Sequence, residues 1–143
     1  MAYVDLKKAY DNVNREKLWK ILKWKGFSED DIELIKKLYH NSRTKIVTEV
    51  GITEEVKIEK GVRQGCAMSP ILFNIYIDGI VKMLAENAEG IIVGKERVNV
   101  LAFADDIWVI ESSEDKMAQT LKWLEAGMNE IDMEMSYDKS ELL

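Results

Sequence analysis

The run Leu101-Ala102-Phe103-Ala104-Asp105-Asp106-Ile107-Trp108-Val109-Ile110 constrains this chain more than any other stretch. Two adjacent acids interrupt a series of apolar β-formers. Strands commonly turn at Asp, Asn or Gly. The run therefore predicts a β-hairpin with Asp105 and Asp106 at its tip. Such a turn crowds two carboxylates beside an apolar sheet. Like charges in that setting are unfavourable unless a cation offsets them. A divalent metal is one candidate, and the plain alternative is that Asp-Asp simply makes a good turn. The dipeptide alone favours the turn, so the rest of the chain has to decide.

The 143 residues fit one domain, and 47% apolar with 32% charged residues describes a globular chain able to bury a core. Cys66 is the single cysteine, which excludes an internal disulfide framework and fits a reducing, intracellular setting, cytoplasmic or nuclear. His40 is the single histidine, which excludes a His-rich metal site. No apolar run approaches the roughly eighteen residues of a transmembrane helix, and Met1-Ala2-Tyr3-Val4-Asp5 has no signal-peptide pattern. No membrane partner is expected. The net charge of −6 has the wrong sign for a surface that holds nucleic acid by neutralising phosphates. Tyr3-Val4-Asp5-Leu6 reads as a strand at the very start, and Glu141-Leu142-Leu143 stops without a polar tail. Both ends read as cuts in a larger protein.

In chain order, residues 2–6 form a short strand ending in Asp5. Asn12 or Asn14 caps a helix carrying Leu18, Ile21 and Leu22, with Gly26 as its stop. Ser28 caps a second helix with Asp31 in capping-box position and a stripe of Ile32, Ile35, Leu38 and Tyr39. Residues 43–50 and 53–59 alternate around Gly51 and predict a hairpin. Ser69 at N-cap and Pro70 at N1 start a long helix to about Asn87, apolar on more than one side. Ser112 or Ser113 starts a last helix, and residues 133–143 read as a weak strand pair around Asp138-Lys139. The tryptophans and methionines read as core. The alternation predicts an α+β domain with a largely antiparallel sheet and helices packed on one face.

Asp5 and Asp105 lie 100 residues apart, yet strands of one sheet can bring their ends together. Two carboxylates on neighbouring strands can bridge two Mg²⁺ ions about 3.5–4 Å apart, the clamp used for in-line phosphoryl displacement. Mg²⁺ suits carboxylates plus substrate phosphates, without histidine or cysteine.

Three segments in order carry a resemblance to a known family. Tyr3-Val4-Asp5-Leu6-Lys7-Lys8-Ala9-Tyr10-Asp11 resembles motif A of the reverse transcriptases, closest to the non-LTR, LINE-like retrotransposon class. Gly61-Val62-Arg63-Gln64-Gly65-Cys66-Ala67-Met68-Ser69-Pro70-Ile71-Leu72-Phe73 resembles motif B, and Phe103-Ala104-Asp105-Asp106 resembles motif C. The resemblance covers essentially the whole chain. It implies a polymerase palm with a ferredoxin-like core and part of the fingers over residues 1–143, with N-terminal fingers and C-terminal thumb lying outside the chain. Basic residues of those flanking segments would hold the duplex, which accounts for an acidic palm.

The same resemblance implies roles. Asp5, Asp105 and Asp106 would be the catalytic acids. Asp5, Asp105 and the Leu6 carbonyl would hold two Mg²⁺ ions (Mn²⁺ could substitute), with Asp106 in support. Tyr10 would lie beneath the incoming sugar and clash with a 2′-OH; without the family it reads as a core aromatic at a helix start. Gln64 and Gly65 would shape the nucleotide pocket, or form a plain helix-entry loop. Lys139 would serve the leaving pyrophosphate or help close the site, or is a plain solvated lysine. Arg63, Phe103 and Ala104 would contact template or primer, with a solvated side chain as the plain alternative for Arg63. The partners implied are an RNA template, a DNA primer and dNTPs, with fingers, thumb and an endonuclease segment in the same polyprotein. One departure stands out: Asp132-Met133 occupies the place of the family's Gly-Leu, and Ser136 the place of its Asn. That departure, with fingers and thumb outside the chain, leaves room for a second reading, a non-catalytic relic or domesticated fragment serving as an interaction module.

Overall fold

The computed structural model describes every residue except 41, 46 and 50. Its elements are β1 (Ala2–Val4), α1 (Ala9–Asn12), α2 (Arg15–Trp24), α3 (Glu29–Tyr39), β2 (Arg43–Thr44), β3 (Val47–Thr48), β4 (Gly51–Ile52), β5 (Val56–Lys57), α4 (Ser69–Asn87), β6 (Ile91–Val93), β7 (Glu96–Val98), β8 (Val100–Phe103), β9 (Asp106–Val109), α5 (Glu114–Glu130) and β10 (Glu141–Leu142). The central sheet is antiparallel, in the order β10-β1-β9-β8. With α4 before β8 and α5 after β9, this is the βαββαβ arrangement of a ferredoxin-like core.

Side-chain alternation divides the sheet into two faces. Ala2, Val4, Leu6, Ile107 and Val109 point inward and are buried with Leu72, Phe73, Tyr76 and Ile80 of α4 and Leu124 and Met128 of α5. Tyr3, Asp5, Asp106 and Trp108 therefore share the opposite face. The Tyr3 and Trp108 rings meet there at 5.1 Å.

Local chemistry explains the ends of the helices. Asn14 caps α2 by accepting from Lys17 N at 3.1 Å. Gly26, at φ 92°, ends it with Phe27 N donating to Leu22 O and Gly26 N to Lys23 O, a Schellman stop. Ser28 Oγ caps α3 by accepting from Asp31 N, and Ser113 caps α5. Ser69 is not the cap of α4. The backbone turns helical at Met68, and Ser69 is buried in the first turn with its hydroxyl 3.4 Å from Tyr39 Oη.

Other expectations shift in detail. Leu38 is exposed, while Ile32, Ile35 and Tyr39 form the buried stripe of α3. Among the tryptophans only Trp19 is core; Trp24 ends α2 under the Lys25 ammonium, and Trp108 lies on the outer sheet face. The predicted hairpin over 43–59 exists as two paired pieces, β2 with β5 and β3 with β4. Gly51 lies in the return strand rather than at the turn, with Thr48 opposite it; Ile46 and Val50 lie outside the described residues. Residues 133–143 form no strand pair of their own. Met135 bridges Leu6, and β10 pairs Tyr3 and Ala2, so both extend the same edge of β1.

Candidate active site

The β8–β9 hairpin turns at Ala104-Asp105, with Phe103 opposite Asp106. Asp106 therefore opens the return strand instead of sharing the tip. Ala104 holds φ 54°, a left-handed backbone that glycine adopts more readily. Asp105 stands at the turn itself. Phe103 is 84% exposed on the same sheet face, beside the acids.

Register carries Asp5 to this hairpin. Val4 pairs with Ile107, so the next step along both strands sets Asp5 against Asp106. Tyr3, two residues before Asp5, donates its hydroxyl to Asp106 Oδ1 at 2.5 Å. That hydrogen bond, followed by burial and the charges of Asp106, Asp5 and Asp105, pushes the Tyr3 hydroxyl up to about 12. All three acids thus act on one phenol. Tyr10 is also raised, first by burial and then by the charge of Asp105.

Asp5 Oδ2 is buried and has no hydrogen-bond partner among the described residues. A buried, unpartnered carboxylate oxygen is unfavourable, and a cation offsets it. The Lys139 ammonium forms an ion pair with it at 3.7 Å, outside hydrogen-bond range. The backbone around Asp5 is fully used: Ser136 N donates to its carbonyl at 2.8 Å, and its own N–H donates to Ser140 Oγ at 3.2 Å. Ser140 Oγ in turn donates to Ser136 O at 2.7 Å. The bonds flanking the Leu6–Met135 bridge use the carbonyls of Asp5 and Glu134, not that of Leu6. Oxygen donors from Asp5, Leu6 and Asp105 fit a hard divalent cation. No three-residue group of His, Cys, Asp and Glu converges tightly enough to form a ready-made metal site among the described residues.

The departures near Lys139 have a local explanation. Asp132 adopts φ 59°, the left-handed stop that ends α5, where glycine would be unstrained. Its carboxylate is held by Lys17 at 2.8 Å and by Asn14 Nδ2 at 2.8 Å. Met133, in the place of leucine, is fully buried.

The segment Gly61–Gln64 packs on α1. Val62 N donates to Tyr10 O and Gly61 N to Val13 O, each at 2.8 Å. Arg15 donates to the carbonyls of Gly61, Ile58 and Lys60. Gln64 Nε2 donates to Asp11 Oδ1 at 3.0 Å. Tyr10 stacks on Phe73 of α4 at 4.8 Å with 12° between the rings. Arg63 donates to Ser42 Oγ and lies over the Tyr39 ring. Gly65 has φ 77° and open space where a Cβ would stand.

The structure thus brings Asp5, Asp105, Asp106, Phe103, Ala104 and Lys139 to one end of the sheet. It joins Tyr10 to Gln64 through Asp11. Sequence reasoning missed Tyr3, Asp11 and Phe73. Tyr3 was legible as the residue two before Asp5 in a strand, which places it on the same face. Asp11 and Phe73 close the motif A and motif B segments, but nothing local shows their contacts, since their partners come from distant segments.

An α+β core with acids at the ends of adjacent strands is the palm layout of a template-directed polymerase. The chain belongs to the family described as Reverse transcriptase (RNA-dependent DNA polymerase), whose model matches residues 1–143. It is 32% identical over 143 residues to the Retrovirus-related Pol polyprotein from type-1 retrotransposable element R2 of Nasonia vitripennis, covering 100% of this chain and 14% of that protein. It is 30% identical over 107 residues to the corresponding polyprotein from type-2 retrotransposable element R2DM of Drosophila melanogaster, covering 75% of this chain and 10% of that one. The fold matches telomerase from Candida tropicalis, solved in complex with a fragment of telomeric RNA. That match has TM-score 0.72 and 18% identity, covering 98% of this chain and 25% of the telomerase. This chain therefore spans only a small part of its relatives. Among the described residues, no helix is long and apolar enough to cross a membrane.

Proposed function

We propose that the chain is the catalytic palm, with part of the fingers, of a non-LTR retrotransposon polymerase. The polymerase would extend a DNA primer 3′-OH with dNTPs on an RNA template. Fingers, thumb and an endonuclease would come from the rest of the polyprotein. The observation that carries this reading is Asp5 Oδ2, a buried carboxylate oxygen without a hydrogen-bond partner among the described residues, at a strand end beside the hairpin that bears Asp105 and Asp106.

In this reading Asp5, Asp105 and the Leu6 carbonyl would hold two Mg²⁺ ions, which when bound would supply charge neutralisation for the attacking and leaving oxygens. The rest of the work is positioning. Asp106 has one oxygen committed to Tyr3, so it supports rather than leads. Tyr10, backed by Phe73, presents a fixed ring to the sugar. Gln64 and Gly65 bound the nucleotide pocket. Lys139 waits beside Asp5, and Arg63 and Phe103 face the template–primer side.

The rival reading, a non-catalytic relic, rests on the fingers and thumb lying outside the chain and on the unusual residues before Lys139. Asp132 takes the glycine-like backbone there and ties it to α2, which weakens the second of these grounds. RNA-templated primer extension by the complete polymerase tests the proposal. Asp105→Asn is expected to reduce extension by at least about a hundredfold, the scale of losing a preorganised electrostatic group. Equal extension by the variant would sink the assignment of Asp105.

A further inference from the structure

Asp11 is exposed and follows Tyr10 on α1. Its carboxylate accepts from Gln64 Nε2 at 3.0 Å, across 53 residues of sequence. This contact is one member of a built joint. Gly61 approaches the Asp11 backbone so closely that an added Cβ would lie 2.8 Å from its carbonyl oxygen. Val62 N and Gly61 N bond the carbonyls of Tyr10 and Val13, and Lys60 Nζ reaches Asn12 Oδ1 at 2.8 Å. Every residue from Tyr10 to Val13 therefore touches the segment 60–64.

We propose that Asp11 is a positioning residue for nucleotide binding. It fixes the side-chain amide of Gln64 and couples that amide to the Tyr10 ring one residue away. The proposal rests on the polymerase reading above. An unanchored Gln side chain samples several rotamers. A carboxylate accepting from Nε2 selects one of them, and it also selects the amide orientation, turning Oε1 away from Asp11 as the free acceptor. A charged acceptor makes this bond stronger than an amide acceptor would.

The test is a double-mutant cycle in the complete polymerase, read by steady-state primer extension on an RNA template. The variants are Asp11→Ala, Gln64→Ala and the pair, with Asp11→Asn as the conservative control. Asp11→Ala is expected to raise KM for the dNTP about tenfold with kcat little changed, the size of losing a hydrogen bond to a charged group. The pair should be no worse than Gln64→Ala alone, and Asp11→Asn should recover most of the loss, since its Oδ1 still accepts from Gln64. Asp11→Ala should also melt at the wild-type temperature, because its side chain is exposed. Effects that multiply in the pair overturn the proposal, as does a loss confined to kcat. A wild-type polymerase that fails to extend the primer would instead remove the underlying reading, so the two failures are distinct.

Discussion

At the scale of single residues, the site depends on backbone states that its side chains do not favour. Ala104, immediately before Asp105, holds a left-handed φ of 54°. A non-glycine residue there is disfavoured by about 1–2 kcal/mol. Glycine removes that strain but adds freedom to the unfolded chain, which returns roughly 0.4–1 kcal/mol of it. Ala104→Gly is therefore expected to raise stability slightly, by up to about 1 kcal/mol in urea unfolding. A clear loss would show that the Ala104 methyl contributes packing that outweighs the strain. Asp132 illustrates the other solution: the strained residue stays, and its own carboxylate anchors it to Lys17 and Asn14. The three acids also differ once their surroundings are known. Asp5 has an oxygen with no hydrogen-bond partner among the described residues, Asp106 is engaged by Tyr3, and Asp105 sits on the turn.

At the scale of elements, the decisive contacts join segments far apart in sequence. The 60–64 loop lies on α1 with Gly61 as the point of closest approach, at φ 83°. Gly61→Ala would place a Cβ 2.8–3.0 Å from three backbone atoms of Asp11, none of them at the end of a flexible side chain. With the left-handed strain added, a loss of at least about 2 kcal/mol is expected, visible as a lower denaturant midpoint at unchanged slope. An unchanged midpoint would mean that the loop moves away from α1 freely, and the coupling of Asp11 to Gln64 would then have no rigid frame. The segment 133–143 shows the same dependence on distant partners. It lacks the length and alternation to pair with itself, and it gains order by adding to β1.

At the scale of the whole molecule, a charge cluster joins the end of α2 to α4. Asp78 on α4 binds both Lys25, at the end of α2, and Lys82, one turn on at 3.0 Å. The hydrogen bond from Lys25 comes first among the causes that hold the Asp78 carboxyl below its ordinary 3.8. A depressed acid contributes stability above its unfolded pKa and loses it as pH falls through the folded value. Asp78→Asn is therefore expected to cost on the order of 1 kcal/mol at pH 7, by thermal unfolding, with the gap to wild type closing below about pH 4. A gap that stays constant into acid would show that the cluster acts through packing and not through charge.

Much of this protein was legible in the residues alone. Hydrophobic periodicity marked the helices and strands, because burial of one face has a fixed period. Cap residues such as Asn14, Ser28 and Gly26 act within one turn, so their meaning is local. The order of Asp5, Tyr10, Gln64-Gly65 and Asp105-Asp106 named the family, because each motif is continuous in the chain. Tertiary structure alone decided what depends on register and on packing between remote segments. Register set Asp106 on the face of Asp5 and Tyr3 and left Asp105 on the turn. Packing set Phe73 under Tyr10 and Asp11 against Gln64. A one-residue slip in pairing would turn every strand side chain to the other face. No short stretch of sequence encodes that register; the buried face as a whole does, once Val4, Ile107 and Val109 have all found the core.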